Sequence, residues 1–193
     1  AHTVIIATGA SAKWLGLPSE KKFMNKGVSA CAVCDGFFFR GEKVAVVGGG
    51  DTAAEESTYL SKMCPEVHLL VRRDEMRASK IMQDRVMNTK NIKIHWNTEA
   101  DEVLGNGEVT GLRVVNNQTK EISELEVKAF FVAIGHTPNT AIFHHQLEMD
   151  ETGYIITEPK STHTSVPGVY ACGDAQDSKY RQAVTAAGTG AMA

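Results

Sequence analysis

The chain has 193 residues, 42% apolar and 22% charged, with five prolines, which suits one folded domain, or one domain plus part of another, and excludes a disordered chain. Its net charge of -3 provides no basic footprint for nucleic acid and no polybasic patch for anionic lipid. No apolar run approaches the roughly 18 residues needed to cross a bilayer, and residues 1–7 lack a basic n-region and a cleavage site. A cytoplasmic location without nucleic-acid or membrane partners is the expectation. The sequence opens on the apolar run Val4-Ile5-Ile6-Ala7 and stops inside the small-residue stretch 186–193. It is expected to be a segment of a longer protein, because natural termini are usually polar and frayed.

The predicted elements in chain order describe an α/β fold. Val44 to Val47 is a continuous apolar run, as expected of a parallel strand covered on both faces. A helix follows over about 52–62, a second buried strand over 67–71, a helix over about 75–89 and a third strand over 92–95. This βαβαβ run is half of a nucleotide-binding fold. From Thr98 to Val127 apolar and polar residues alternate, broken by Gly105-Asn106-Gly107 and Asn116-Asn117, so antiparallel strands are predicted here as an insertion. Residues 129–134 form another buried strand, Pro138-Asn139 reads as a turn and interdomain connection, and a strand over 169–171 precedes a helix from about Arg181.

Gly48-Gly49-Gly50-Asp51-Thr52-Ala53 fits G-x-G-x-x-A between a predicted strand and a predicted helix. Gly48 would allow the tight turn, Gly50 a close backbone approach to pyrophosphate, and Ala53 close packing of helix on sheet. A lone glycine pattern is weak, but the strand–turn–helix context makes it specific. An NAD site usually carries Asp or Glu at the end of the second strand. Here that strand ends in Arg72-Arg73, with Arg77 a turn further on, and guanidinium groups suit a 2′-phosphate. The pattern favours NADPH over NADH, against the bland alternative of a solvated basic face.

Four cysteines are present, two in Cys31-Ala32-Val33-Cys34-Asp35-Gly36. Such a pair can cycle between dithiol and disulfide, with Asp35 placed to relay a proton. Zinc is the rival reading, but a structural site wants four ligands. Cys64 and Cys172 supply no second pair, and the seven histidines show no H-x₃₋₅-H spacing. The two single cysteines read as small buried apolar groups.

Together these motifs resemble the low-molecular-weight thioredoxin reductases. The resemblance is carried by Ala7-Thr8-Gly9-Ala10, Leu17-Pro18, Ser29 to Gly36, Gly48 to Glu56 and Val67 to Arg77. It continues through Val132 to Asn139, Pro167 to Asp174 and Tyr180-Arg181-Gln182-Ala183, in family order over nearly the whole chain. It implies a Rossmann-like NADPH-binding domain at 14–136 that carries the cysteine pair and the inserted antiparallel strands. Residues 1–13 and 137–193 would be parts of an FAD-binding domain of the same type, the second part truncated.

The implied activity passes a hydride from NADPH to FAD, then electrons to the Cys31–Cys34 disulfide and on to thioredoxin, in a homodimer. Cys34 would lie nearest the flavin, Cys31 would attack thioredoxin, and Asp35 would relay the proton. Ile134 and Gly135 would join the NADPH site. Thr8, Gly9, Gly173 and Asp174 would join the flavin site, the last two on its ribityl-phosphate side, with Arg181, Gln182 and Ala183 near its ring. Hinges between two domain orientations would fall near 12–14 and 137–139.

Two positions depart from the family: its first G-x-G-x-x-G is absent, and Val71 replaces a histidine common in bacterial relatives. The NADH-dependent flavoprotein reductase of alkyl hydroperoxide reductase systems is the nearest rival, and the arginines argue against it. A redox-inactive nucleotide-binding module is the rival of another class, and the intact Cys31, Cys34 and Asp35 argue against that.

Overall fold

The computed structural model describes residues 1–193, which divide into two compact units, Lys13–Gly135 and Ala1–Ala12 with His136–Ala193. The elements in order are β1 (Val4–Ile6), β2 (Ala10–Ala12), α1 (Pro18–Lys22), β3 (Val28–Ser29), α2 (Ala32–Asp35), β4 (Val44–Val47) and α3 (Asp51–Leu60). Then come β5 (Val67–Val71), α4 (Lys80–Met87), β6 (Ile92–Trp96), β7 (Thr98–Gly105), β8 (Val109–Asn116) and β9 (Ile122–Leu125). The last are β10 (Ala129–Val132), β11 (His136–Pro138), β12 (Val169–Ala171) and α5 (Ala183–Met192).

The larger unit is built on a five-stranded sheet ordered β3-β10-β4-β5-β6, all of it parallel. Every residue of β4, β5 and β10 is buried, which explains why these strands read as unbroken apolar runs. Successive side chains nonetheless go to opposite faces. Val44, Val46, Leu69 and Phe131 join one core with Ala53, Ala54 and Leu60 of α3 and Met82 and Val86 of α4. Ala45, Val47, Leu70 and Phe130 join the other with Val103, Leu112 and Val114 of the antiparallel sheet β7-β8-β9. The unit therefore has three layers, helices, parallel sheet and antiparallel sheet, and each fully buried Leu or Phe contributes about 1.5–3 kcal/mol to it.

The structure changes three elements of the sequence reading. The helix expected over about 75–89 covers only Lys80–Met87, because the Gly49 carbonyl accepts from the Arg77 and Ala78 N–H groups and holds the preceding residues as a loop. The helix expected from about Arg181 begins at Ala183, with Gln182 as its cap and Arg181 left-handed at φ 44°. Pro138-Asn139, read as a turn, instead has Pro138 in β11, which pairs antiparallel with β2 inside the smaller unit. In that unit β1 lies parallel to β12, over a small core of Ile6, Ile155, Ala171 and Ala175. No helix is long and apolar enough to cross a membrane.

Candidate functional site

The glycine turn links β4 to α3 at the C-terminal end of the parallel sheet, where ligands of open α/β sheets bind. Gly48 has φ 150°, and a Cβ there would sit 2.4 Å from the Ala133 carbonyl and 2.7 Å from the Ala53 Cβ. No larger residue fits while β10 and α3 stay where they are. Around Gly50, by contrast, a Cβ would meet nothing within 4 Å, which leaves room for a ligand against the backbone. The cleft over this turn has a volume of about 680 Å³ and is lined by Gly48, Gly49, Gly50, Thr52, Ile134 and Gly135 together with Arg72, Arg73 and Arg77. Asp51 and Ala53 do not line it. Ala53 is buried under the turn, and Asp51 Oδ1 accepts from both the Ser79 N–H and the Ser79 hydroxyl at 2.8 Å.

Three arginines, with the carboxylates of Glu75 and Glu99, give the cleft its charge. Arg72 and Arg73 leave the end of β5, and all three guanidinium groups are exposed. No side-chain hydrogen bond or ion pair within the chain engages them, and the chain's salt bridges lie elsewhere. Arg77 is tied to the glycine turn through its own N–H, which donates to the Gly49 carbonyl at 2.6 Å. A cleft lined by both an open glycine backbone and three guanidiniums without side-chain partners fits a dinucleotide carrying an extra phosphate.

In the same unit Cys31 and Cys34 form a disulfide, with Cα atoms 5.3 Å apart. Cys31 caps the short α2, its Sγ accepting from the Cys34 N–H at 3.2 Å. A sulfur at a helix start that accepts an N–H bond is better stabilised as a thiolate once reduced. Cys34 is exposed and Cys31 half-buried. Ser29, in β3, donates to Asp35 Oδ2 at 2.6 Å and accepts from the Cys31 N–H at 3.0 Å. From α3, Glu56 Oε1 accepts from the Ala32 N–H at 3.4 Å, so the helix that starts at the glycine cleft also braces the cysteine turn. Neither Ser29 nor Glu56 has a role that residue spacing reveals, because both contacts depend on tertiary placement.

Beside the disulfide Val33, Phe37 and Phe38 are 56%, 65% and 78% exposed. The other cysteines lie apart from this chemistry: Cys64 and Cys172 are buried and not disulfide-bonded. The Cys64 thiol is pushed up to about 11, mainly by burial and then by Glu42.

In the smaller unit Thr8-Gly9 and Gly173-Asp174 follow the C-terminal ends of the adjacent parallel strands β1 and β12. Gly9 is left-handed at φ 69° with open space where a Cβ would be. Arg181, Gln182 and Ala183 lie at the start of α5, where the Arg181 guanidinium donates to the Ser178 carbonyl at 2.6 Å.

Residues 1–190 match the family described as pyridine nucleotide-disulphide oxidoreductase. The chain belongs to that family. It is 55% identical over 195 residues to a thioredoxin reductase of Dictyostelium discoideum, covering 100% of this chain and 61% of that protein. A thioredoxin reductase of Rickettsia conorii is 53% identical over 196 residues, with 100% and 63% covered. The solved thioredoxin reductase of Giardia duodenalis superposes with a TM-score of 0.93 at 46% identity, over 99% of this chain and 63% of that one. The chain thus spans somewhat less than two thirds of the length of these relatives.

Proposed function

We propose that the protein is an NADPH-dependent, FAD-containing thioredoxin reductase, acting in the cytoplasm as a homodimer. The observation that carries this reading is the shared placement, in one compact unit, of the Cys31–Cys34 disulfide and a cleft bearing three unpaired guanidiniums. Gly48, Gly49, Gly50 and Thr52 would hold the NADPH pyrophosphate, with Asp51 and Ala53 shaping that turn. Arg72, Arg73 and Arg77 would hold the 2′-phosphate, and Ile134 and Gly135 the nicotinamide end. Thr8, Gly9, Gly173, Asp174, Arg181, Gln182 and Ala183 would hold FAD, which when bound supplies the two-electron relay from nicotinamide to disulfide. The open backbone at Gly9, beside paired parallel strand ends, supports that assignment.

Once the pair is reduced, its own residues carry the exchange. The Cys31 thiolate attacks one sulfur of the partner's disulfide, and the partner's other sulfur departs as a thiolate that takes a proton. Cys34 then loses its proton and attacks Cys31 Sγ, which re-forms the internal disulfide and releases the partner as a dithiol. Asp35 lies beside this turn, held by Ser29, and serves as the proton relay. The exposed Phe37 and Phe38 next to the disulfide support a protein substrate, since isolated water-facing aromatics beside a reactive group suit a docking surface.

The test is NADPH-driven reduction of thioredoxin by the full-length protein and its Cys34→Ser variant. The variant should lose thioredoxin turnover and keep NADPH-dependent bleaching of the flavin. Thioredoxin turnover surviving in the variant, or equal flavin reduction by NADH and NADPH in the wild type, would sink the corresponding half of the reading.

A further inference from the structure

The three arginines are only as selective as the backbone that aims them, and part of that backbone is held from a distant element. Arg72 and Arg73 sit in the turn after β5, exposed and without side-chain partners, so nothing in their own side chains fixes where the guanidiniums point. The turn's carbonyls are fixed instead. Asn117, at the β8–β9 turn of the antiparallel sheet, donates its side-chain amide to the Arg72 carbonyl at 2.7 Å. The Asn117 N–H donates to the Asn97 carbonyl at 2.7 Å, and the Asn97 N–H in turn donates to the Arg73 carbonyl at 3.0 Å. Asn97 holds its place in the left-handed region, at φ 53°, a conformation asparagine tolerates better than most residues. Asn117 is itself kept in position by its own turn, where Asn116 Oδ1 accepts from the Gln118 and Thr119 N–H groups at 2.9 and 3.0 Å. The Asn117 amide also reaches Glu99 Oε1 at 3.3 Å on β7. Arg72, Arg73, Asn97, Asn117 and Gln118 line one small polar hollow.

We infer that Asn117 is a positioning residue for recognition of the cofactor's 2′-phosphate, acting through the main chain of Arg72 and, by way of Asn97, of Arg73. The inserted antiparallel sheet then does more than cover one face of the parallel sheet: it sets the aim of the specificity-determining arginines. This rests on the reading that the cleft takes NADPH. The glycine turn and Arg77 are anchored separately, through Gly49 and through Asp51–Ser79. Loss of Asn117 should therefore spare the contacts that NADPH and NADH have in common.

The experiment is anaerobic calorimetric titration of the full-length protein, its flavin already reduced so that no hydride is consumed, with NADPH, NADH and adenosine 2′,5′-bisphosphate, for the wild type, Asn117→Ala and Asn117→Ser. Serine suits a turn and is too short to reach the Arg72 carbonyl. Both variants should bind NADPH and the bisphosphate roughly three- to tenfold more weakly, the range expected for one net hydrogen bond, while NADH affinity changes less than about twofold. A merely structural role would weaken all three ligands together, and that result, or an unchanged NADPH-to-NADH ratio, overturns the inference and leaves the cofactor reading intact. A wild type that does not discriminate NADPH from NADH overturns the cofactor reading itself. Failure of both variants to fold would show Asn117 to be a structural element of the whole unit and would also overturn the inference.

Discussion

The Ser29 hydroxyl stands between the Asp35 carboxylate and the Cys31 backbone, donating to Asp35 Oδ2 at 2.6 Å while accepting from the Cys31 N–H at 3.0 Å. One side chain therefore fixes both the proposed proton relay and the cysteine it serves. Ser29→Ala frees the Asp35 carboxylate and leaves the Cys31 N–H without its acceptor, at a cost of about 1 kcal/mol in stability. The variant should also exchange disulfides more slowly than wild type, with nucleotide affinity unchanged. Asp35→Asn removes the relay itself and should slow exchange by about 100-fold or more. Urea melts and a stopped-flow exchange assay check both, and wild-type exchange in Ser29→Ala would remove Ser29 from the relay.

The glycines of the cleft divide into one that the fold needs and one that the ligand needs. Gly48→Ala forces a Cβ to within 2.4 Å of the Ala133 carbonyl at a positive φ. It should destabilise the protein by about 2 kcal/mol or more. Gly50→Ala meets open space at φ -98° and should melt within about 0.5 kcal/mol of wild type while binding NADPH more weakly, because its methyl projects toward the proposed pyrophosphate site. Parallel urea melts and NADPH titrations separate the two effects, and equal stability losses in both variants would contradict this division.

The parts legible in the sequence are those whose physics is local. A strand buried on both faces shows itself as an apolar run, and β4, β5 and β10 fall where such runs were expected. The α/β class and the inserted antiparallel strands followed from periodicity and turn residues. The start of α4 was not legible, because Glu75 to Ser79 has helix-compatible composition and is kept out of the helix by Gly49 and Asp51 from another segment. With two residues, β3 is too short to carry a period at all. The same limit hides the roles of Ser29, Glu56 and Asn117. Each acts through hydrogen bonds to backbone or carboxylate groups brought near by folding, and a single polar residue has no pattern to read.

The exposed aromatics beside the disulfide predict a difference between large and small substrates. Phe38, at 78% exposure, contributes little to the fold, so Phe38→Ser should leave stability within about 0.5 kcal/mol of wild type. If the surface docks a protein, the variant should raise KM for thioredoxin by roughly tenfold, the loss expected of one aromatic anchor. Its rate with a small aromatic disulfide should be unchanged. Parallel steady-state assays with both substrates check this, and an equal loss with both would assign Phe38 to the chemistry and not to docking.

Acid stability depends on a cluster of ionisable side chains at β5 and β6. On β5 and β6, His68 Nδ1 and His95 Nε2 lie 2.9 Å apart, while His68 Nε2 meets Glu66 Oε1 at 2.8 Å. Glu66 Oε2 also pairs with Lys93 Nζ at 2.5 Å. The carboxylate can only accept, so His68 carries its proton on Nε2, which leaves Nδ1 to accept from His95. Burial lowers the pKa of both rings. At His95, the neighbouring His68 and Lys93 lower it further, and at His68 the Glu66 charge opposes the burial without reversing it. Both rings are therefore neutral in the folded protein at pH values where the unfolded chain, titrating near 6.5, has begun to bind protons. The unfolded state binds more protons in that window, so stability falls as pH drops below about 6.5, with a limiting slope of about 1.4 kcal/mol per pH unit for each proton. Glu66 acts in the same direction at lower pH. Its pKa is held down chiefly by the Lys93 hydrogen bond, so its stabilisation is present above the ordinary carboxylate value and is lost as pH falls through the lowered one. Urea melts from pH 8 to pH 5 should show the first loss in the wild type and a flatter profile in His68→Leu. A profile equally steep in that variant would place the acid sensitivity elsewhere in the chain.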